Sequence, residues 1–336
     1  MQITSPTSTL ERVNCGVCGS DKSTHLFEAR DHIYGNEGSW PVAQCDGCGV
    51  VFMNPRIPPS LIGPFYPKSY YTNQAKENAT SKWKAQARAI LLRKKFGYPV
   101  TIPIGLIGRL AALLIGPVWS RLAWFQHNIG FVSNGIVLDA GCGNGGVLSI
   151  YRNLGWRTFG NEIGPESAAL ARKAGHDIFV GELQEARYAA DSFDAVTLWD
   201  ALEHIHNPAE TMAEVFRVCR SGGQVYVYVP NFGSAYARRY RDKWFMFTAP
   251  LHYYHYTAET LTALLQRSGF NVLEMKYPLG AVGLLPTLTA NARAGSSWTL
   301  LTLRLAGFVL RAIERLLPRG HLLAIARKPS GDTRHA

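Results

Sequence analysis

Acidic residues are missing from two long stretches of this chain. Residues 78–138 contain no Asp or Glu but eight Lys or Arg, and residues 275–313 contain no acid. Both stretches are rich in apolar residues, and the whole chain has a formal net charge of +11. Positive charge on apolar surface predicts contact with an anionic membrane or a lipid-linked substrate, and it makes nucleic acid an unfavoured partner.

Long uncharged runs are missing as well. Arg109 and Arg121 interrupt the most apolar part of the chain, so no uncharged run reaches the roughly 18 residues that a bilayer-spanning helix needs. We expect this part to lie in a membrane interface; an intramolecular lid or a dimer interface is the alternative. The N-terminus does not show the basic segment and following apolar run of a secretory signal. We therefore predict a cytoplasmic protein that is peripheral on the inner face of the membrane.

Cysteine is scarce and unevenly placed. Four of the six cysteines form two Cys-x-x-Cys pairs, each followed by glycine: Cys15 with Cys18, and Cys45 with Cys48. Four thiolates suit a closed tetrahedral Zn²⁺ site, which is structural because no coordination position is left for a substrate. A redox dithiol and an iron–sulfur site are the alternatives.

From residue 135 onward the chain alternates strand and helix patterns. Repeated βα units predict an α/β fold with a parallel sheet that helices cover on both faces. The predicted strands are 136–139, 157–162, 193–199, 224–229, 271–277 and 321–326, and the predicted helices are 145–154, 166–174, 209–218 and 258–268.

A glycine-rich loop follows the first of these strands. The strand ends at Asp139, and a helix begins directly after Gly141-x-Gly143-x-x-Gly146, which is suited to binding a nucleotide-like ligand at a helix N-terminus. Glu162 ends the next strand, where a carboxylate can accept both hydroxyls of a ribose. The glycines also satisfy the dinucleotide fingerprint, so an NAD-dependent oxidoreductase is an alternative. Asp139 before the glycines can receive an ammonium group, which favours S-adenosylmethionine (SAM).

Residues 137–145 resemble motif I of class I SAM-dependent methyltransferases. The similarity continues in family order through 160–162, 192–196, 202–205 and 215–230, with a turn at 221–223. This resemblance implies a Rossmann-like core with a mostly parallel seven-stranded sheet. It also implies the cofactor-binding residues: Asp139, Gly141 and Gly143 for the methionine part, Glu162 for the ribose, Glu182 or Leu183 for the adenine, and Cys142 and Asp200 as further contacts.

The N-terminal part has a resemblance of its own. The two cysteine pairs, followed by 50–55 and 66–71, are similar to methyltransferases with an N-terminal zinc-binding domain, among them sugar C-methyltransferases. In those relatives an aromatic residue of the N-terminal part reaches the substrate pocket. Tyr70 and Tyr71 have this position here, and we assign Tyr71 to the catalytic set; packing against the core is the alternative.

Two polar clusters are candidates for the chemistry. The strand 193–199 ends at the carboxyl edge of the sheet, where ligands bind in open α/β folds, and Asp200, Glu203 and His204 follow it. We predict His204 as general base with Glu203 orienting it, or else a segment that only shapes the cofactor pocket. The second cluster, 250–256, holds His252 and His255 among three tyrosines. His252 is predicted to line the acceptor pocket, and metal ligation by these histidines lacks a third ligand in the sequence.

Three regions follow from these patterns. Residues 1–75 form a zinc-binding module, 76–131 a basic apolar helical connector or lid, and 132–336 a SAM-binding domain with an apolar helical insertion at 278–318. The predicted function is methyl transfer from SAM to a small or lipid-linked acceptor, with a glycan or sugar intermediate preferred. The alternatives are an O-methyltransferase of a quinone or lipid, the NAD-dependent oxidoreductase, and a non-catalytic zinc-ribbon protein that binds nucleic acid.

Overall fold

The computed structural model describes residues 10–67, 82–99, 101–121, 127–279 and 320–330. They divide into two compact units. One unit comprises the described residues of 10–67, 200–216, 227–279 and 320–329, and the other comprises those of 82–199, 217–226 and 330.

The strands are numbered here in chain order. They are β1 (Ser23–Ala29), β2 (Trp40–Cys45), β3 (Val51–Met53), β4 (Ile136–Ala140), β5 (Arg157–Glu162), β6 (Asp177–Val180), β7 (Phe193–Trp199), β8 (Cys219–Pro230), β9 (Tyr254–His255), β10 (Asn271–Lys276) and β11 (His321–Arg327). The α-helices are α1 (Lys82–Phe96), α2 (Leu106–Leu114), α3 (Gly116–Trp119), α4 (Gly146–Arg152), α5 (Pro165–Lys173), α6 (Pro208–Val218), α7 (Ala235–Tyr240) and α8 (Ala258–Arg267).

Seven strands form one sheet in the order β10-β11-β8-β7-β4-β5-β6. β4 pairs in parallel with β5 and β7, and β5 pairs in parallel with β6, whereas β10 and β11 are antiparallel. Val137 and Leu138 in β4 and Val196 in β7 are fully buried, as expected of strands that are covered on both faces. The predicted Rossmann-like α/β fold is confirmed.

The ends of α5 show why the sequence forms helices at these places. The helix starts at Pro165, whose fixed φ suits the first helical position, with Glu166 in its first turn. It ends with Arg172 and Lys173 in the last turn, and Gly175 then adopts a φ of +88° that ends the helical path. The predicted range 166–174 therefore agrees with the structure to within one residue at each end.

From residue 135 onward, three short elements were not predicted: β6, α7 and β9. β6 has only four residues, of which only Ile178 is buried, so its pattern is too short to indicate a strand. The predicted turn at 221–223 lies within β8, where Gly222 has a φ of +77°. Apart from residues 278–279, the predicted insertion 278–318 lies outside the described residues.

A second, smaller sheet has the order β1-β2-β3-β9, and each strand is antiparallel to its neighbours. Val51 and Phe52 of β3 pair with His255 and Tyr254 of β9, which are about two hundred residues later in the chain. The N-terminal residues and the histidine cluster predicted at 250–256 therefore belong to one sheet.

Helices α1 and α2 lie against each other in the other unit. A side chain at Gly108 of α2 would come within 2.6 Å of Gln86 of α1, so glycine is needed where the two backbones approach. The Gln86 side chain also donates a hydrogen bond to the Pro103 carbonyl at 2.8 Å. Among the described residues, no helix is both long enough and apolar enough to span a membrane.

Candidate functional site

The glycine loop between β4 and α4 has the tight backbone path that its sequence predicts. Gly141, Gly143 and Gly145 have φ values of +75°, +54° and +77°, a region that favours glycine. The backbone N–H groups of Gly141 and Cys142 both donate to the Asn161 carbonyl at 3.0 Å. The loop is thus attached to the end of β5, the strand parallel to β4.

Asp139 is a buried carboxylate at the end of β4. Its side chain accepts a hydrogen bond of 2.6 Å from the Thr197 hydroxyl of the neighbouring strand β7. Burial, with a smaller contribution from the nearby Glu162, raises the pKa of Asp139 to about 7 although this hydrogen bond opposes the shift. The protein by itself therefore stabilises the ionised form of Asp139 poorly.

Glu162 is held against the glycine loop. One carboxylate oxygen accepts from the Gly143 N–H at 2.9 Å, and the other accepts from the Gly164 N–H at 2.7 Å. Burial raises the pKa of Glu162 despite these hydrogen bonds. In the part of the chain that the structure describes, neither Glu162 nor Asp139 forms an ion pair with Lys or Arg. A buried and a half-buried carboxylate beside a glycine loop fit a ligand that carries positive charge, as SAM does, better than the negatively charged pyrophosphate of NAD.

Glu203 lies in a single 3₁₀ turn, Leu202–His204, soon after β7 ends. Its side chain is buried, and neither carboxylate oxygen has a hydrogen-bond partner. Burial raises the pKa of Glu203 well above its usual value, and the neighbouring Asp200 raises it further. An unpartnered buried carboxylate is costly, so this group is expected to serve a purpose other than packing.

His204 is fixed in one orientation. Its Nδ1 lies 3.0 Å from the Leu251 carbonyl oxygen and 3.2 Å from the Tyr66 hydroxyl. Because a carbonyl oxygen only accepts, Nδ1 carries the hydrogen and Nε2 offers a lone pair. Burial lowers the pKa of His204 to about 4, so the ring is neutral near neutral pH.

His252 lies edge-on to His204, with the ring centroids 4.5 Å apart. Burial lowers the pKa of His252 well below its usual value, as do His204 and His255, while a backbone hydrogen bond with Met246 opposes the shift. Its Nδ1 is buried and has no hydrogen-bond partner. His255 instead stacks on Phe247 at 3.9 Å and pairs through its backbone with Val51 of β3.

Comparison with known proteins identifies the central part of the chain. Residues 121–275 match the model of a family described as a methyltransferase domain. These residues are just under half of the chain, and they resemble this family of methyltransferases. The match includes Asp139, Glu162 and Glu203, so the resemblance favours SAM over NAD as the ligand of the glycine loop.

Curated relatives match part of this chain over part of their own length. A ubiquinone biosynthesis O-methyltransferase of Aromatoleum aromaticum is 31% identical over 113 residues, which are 32% of this chain and 48% of the relative. A probable S-adenosylmethionine-dependent methyltransferase of Mycolicibacterium smegmatis is 32% identical over 138 residues, which are 40% of this chain and 52% of the relative. The chain thus spans about half the length of these relatives.

Among solved structures, a chain from the complex between the Haloferax volcanii Trm112 methyltransferase activator and a putative methyltransferase is similar at 19% sequence identity. The similarity covers 66% of this chain and 93% of that chain, with a TM-score of 0.48.

Outside residues 121–275, the four predicted metal ligands come together. The sulfurs of Cys15 and Cys48 are 3.7 Å apart, those of Cys18 and Cys45 are 3.5 Å apart, and all four lie within 4.8 Å of one another. Zn–S bonds of about 2.3 Å in a tetrahedron place sulfurs about 3.8 Å apart, so the cluster has the dimensions of a zinc site.

The backbone of the two cysteine pairs is built alike. The Gly19 N–H donates to the Cys15 carbonyl at 2.7 Å, and the Gly49 N–H donates to the Cys45 carbonyl at 2.9 Å, with both glycines at positive φ. Burial raises the pKa of the Cys15 thiol, and backbone hydrogen bonds with Val17 and Cys18 oppose this shift. Backbone amide groups therefore point at the Cys15 sulfur.

The other predicted site residues have diverse surroundings. Cys142 is buried in the glycine loop, and burial raises the pKa of its thiol. Glu182 is exposed and caps the 3₁₀ turn in which Leu183 is buried. The Asp200 carboxylate lies 3.1 Å from the His321 ring nitrogen, without the alignment of a hydrogen bond. Tyr71 lies outside the described residues.

Sequence reasoning missed Tyr66, Thr197 and His321 as parts of these sites. Tyr66 belongs to the N-terminal motif, but 138 positions separate it from His204. His321 pairs with Asp200 and stacks on Tyr228 of β8, with the ring centroids 4.5 Å apart. Thr197 could have been found, because a polar residue in the apolar strand 193–199 suggests a buried partner.

Proposed function

We propose that this protein transfers a methyl group from SAM to an oxygen atom of a lipid-borne acceptor of the quinone class. The observation that carries the methyl-transfer part is the pair of carboxylates, the buried Asp139 and the half-buried Glu162, at the ends of adjacent parallel strands beside the glycine loop. When bound, SAM supplies a methyl group on a positively charged sulfur.

The protein residues have separate tasks in this proposal. Asp139 holds the ammonium group of the cofactor, and Glu162 accepts the ribose hydroxyls while the Gly143 N–H keeps it in place. Cys142 and Gly141 line the loop, and Leu183 and Glu182 lie after β6, where the adenine is expected. Glu203 and His204 follow β7 directly and activate the acceptor oxygen.

The exposed face of α2 supports a lipid-borne acceptor. Five apolar side chains of this helix are between 47% and 74% exposed: Leu106, Ile107, Leu110, Leu113 and Leu114. Their spacing places them on one face, while Gly108 and Ala112 on the opposite face are buried. Arg93, Lys94 and Lys95 end the neighbouring helix α1 and are exposed. An apolar face beside basic residues suits the surface of an anionic bilayer.

The names of the relatives favour the same acceptor class. The Aromatoleum aromaticum relative, like one from Aeromonas salmonicida that is 28% identical over 124 residues, is named for ubiquinone biosynthesis. The glycan or sugar acceptor preferred from the sequence has no such support. A small soluble acceptor remains the second candidate, because nothing described about Glu203 and His204 requires a lipid tail.

We also propose that the four-cysteine cluster holds a structural zinc ion. The sulfur spacings and the repeated backbone turns fit tetrahedral thiolate coordination. Since four protein ligands leave no open position, this metal takes no part in the transfer. It would instead fix the loops that flank β2 in the smaller sheet.

Calorimetry on the full-length protein tests the cofactor. S-adenosylhomocysteine is expected to bind, NAD to give no heat, and the Asp139→Asn variant to bind at least about tenfold more weakly, because a buried ion pair is lost. NAD binding, or equal binding by the variant, would refute the assignment.

A methyl-transfer assay tests the acceptor. Transfer of labelled methyl from SAM to a polyprenylated dihydroxybenzene in vesicles is compared with transfer to a nucleotide sugar, and we expect the lipid to be methylated. Transfer only to the sugar would overturn the lipid proposal.

A further inference from the structure

Three side chains outside the four-cysteine cluster also come together as metal ligands. Glu203, His204 and His252 each offer one donor atom, and these atoms all lie within 4.8 Å of one another. The sequence separates His252 from the other two by nearly fifty residues, so only the fold shows the group. The segment directly before β9 lies against the 3₁₀ turn that holds Glu203, since the Tyr253 N–H donates to the Glu203 carbonyl at 2.8 Å.

Three side-chain atoms of Glu203 and His252 have no other partner in the described structure. Both carboxylate oxygens of Glu203 and the Nδ1 of His252 are buried and have no hydrogen-bond partner. Buried polar atoms are nearly always paired, because an unpaired one loses its hydration without compensation. These buried atoms without partners, on two side chains whose ligand atoms lie close together, therefore point to a cation site.

The orientation of the two histidines is a second, independent observation. His204 directs Nδ1 to the Leu251 carbonyl, and this leaves Nε2 as the donor atom. His252 has a backbone hydrogen bond with Met246, and because its Nδ1 has no partner, this bond involves Nε2. Metal-binding histidines commonly give their second N–H to a backbone carbonyl in this way, which fixes the ring and the tautomer.

We infer that Glu203, His204 and His252 form a second metal site, which binds a divalent first-row ion such as Zn²⁺ or Mn²⁺. Two imidazoles and one carboxylate suit these ions and disfavour Ca²⁺ and Mg²⁺, which prefer oxygen ligands. Three protein ligands leave coordination positions open, unlike the four-cysteine cluster. A hydroxyl oxygen is the ligand that fits an open position here.

This site deepens the proposed function, and its catalytic meaning rests on that proposal. A metal ion beside the acceptor would lower the pKa of the acceptor hydroxyl, and its proton would pass to water. The ionised oxygen would then take the methyl group from SAM and leave S-adenosylhomocysteine, so Glu203 and His204 would act as metal ligands and not by direct proton abstraction. Metal binding itself can be measured without SAM or an acceptor. Failure of the metal site and failure of the methyltransferase proposal are therefore distinguishable.

Metal content of the full-length protein gives the first test. After dialysis against Zn²⁺ and then metal-free buffer, we expect about two zinc ions per chain, and about one in Glu203→Gln and in His252→Asn. His255→Asn is the matched control, because His255 is equally buried but lies outside the trio; it should retain about two. One zinc ion in the unaltered protein, or about two in both trio variants, would overturn the site.

A titration with Mn²⁺, followed by electron paramagnetic resonance, uses protein from which mild chelation has lowered the zinc content to about one ion per chain, because Zn²⁺ bound at the trio would block the weaker Mn²⁺. This test does not depend on variants that fold. Mn²⁺ prefers nitrogen and oxygen ligands to thiolates, so it reports on the trio and not on the cysteines. We expect one Mn²⁺ bound per chain and competition by added Zn²⁺. In Glu203→Gln the Mn²⁺ affinity should fall at least about tenfold, because loss of the carboxylate removes the only charged ligand. No binding of Mn²⁺ at millimolar concentration in the unaltered protein would contradict the proposal.

Discussion

At the scale of single residues, the state of one carboxylate controls the proposed cofactor site. Burial raises the pKa of Asp139 to about 7, so a change of pH near neutrality changes its charge. An ammonium group pairs only with the ionised form. We therefore expect S-adenosylhomocysteine to bind more tightly as the pH rises through about 7, with the association constant falling about tenfold for each pH unit below that value.

Calorimetry between roughly pH 5.5 and 8 measures this dependence. Thr197→Val is the sharpest variant, because the Thr197 hydroxyl donates to Asp139 and lowers its pKa. Without that hydroxyl the midpoint should move above pH 7. A profile that is the same in Asp139→Asn as in the unaltered protein would show that another group titrates.

The same carboxylate has an effect of opposite sign on the stability of the ligand-free protein. A pKa that folding raises from 3.8 to about 7 stabilises the folded state fully below the unfolded pKa, and this contribution is lost as pH rises through about 7. At pH 8, Asp139→Asn should therefore unfold at a higher temperature than the unaltered protein, and its free energy of unfolding should be higher by up to about 4 kcal/mol. Near pH 4 the two proteins should differ little in stability. Thermal unfolding at both pH values checks this, and a lower melting temperature at pH 8 would refute it.

At the scale of elements, the start of α4 depends on one glycine. Gly145 has a φ of +77°, and a methyl group there would come within 2.8 Å of His176 and 3.0 Å of Ala171. Gly145→Ala should lower the free energy of unfolding by about 3 kcal/mol or more, because backbone strain and overpacking add. Gly155→Ala is the matched control: its φ is +92° but nothing lies within 4 Å, so only strain of about 1 kcal/mol is expected. Urea unfolding compares the two, and equal losses would show that space at Gly145 is not limiting.

The elements also show what the sequence could predict. β4, α4 and β7 were predicted almost to their ends, because local apolar periodicity and glycine placement determine them. The pairing of β3 with β9 could not be predicted, because hydrogen bonds between distant segments leave no local pattern. The ligand trio of Glu203, His204 and His252 was missed for the same reason: each residue was singled out, but their proximity depends on that pairing.

The smaller sheet should depend on the proposed zinc ion. Cys45 is the last residue of β2, and the Asp46 N–H donates to the Lys22 carbonyl next to β1. Removing zinc with a chelator, or replacing Cys45 by Ser, should lower the melting temperature by several degrees, since metal binding supplies folding free energy. Cys219→Ser alters another buried cysteine that lies far from the cluster in sequence, and it should leave zinc content unchanged. Full stability after complete zinc removal would contradict a structural role.

At the scale of the whole molecule, charge and apolar surface act together. The net charge of +11 attracts the protein to anionic surfaces, and the five exposed apolar residues of α2 supply the area that can enter the interface. Neither feature alone requires a membrane: basic surfaces also bind nucleic acid, and apolar faces also bind protein. We expect binding to vesicles that contain anionic lipid, weaker binding at high salt because charge is screened, and little binding to zwitterionic vesicles.

Vesicle flotation separates membrane binding from these other uses of the surface. Replacing Leu113 and Leu114 by Ser should weaken binding to anionic vesicles at least about tenfold, since two leucine side chains leave the interface. The matched control replaces Leu61 and Leu273, which are 43% and 48% exposed but lie outside α2, and it should bind normally. If both double variants float alike, charge alone brings the protein to the vesicles. If the unaltered protein stays unbound at low salt, the face of α2 serves another chain or the undescribed part of this one, and the acceptor would then have to reach Glu203 and His204 from solution.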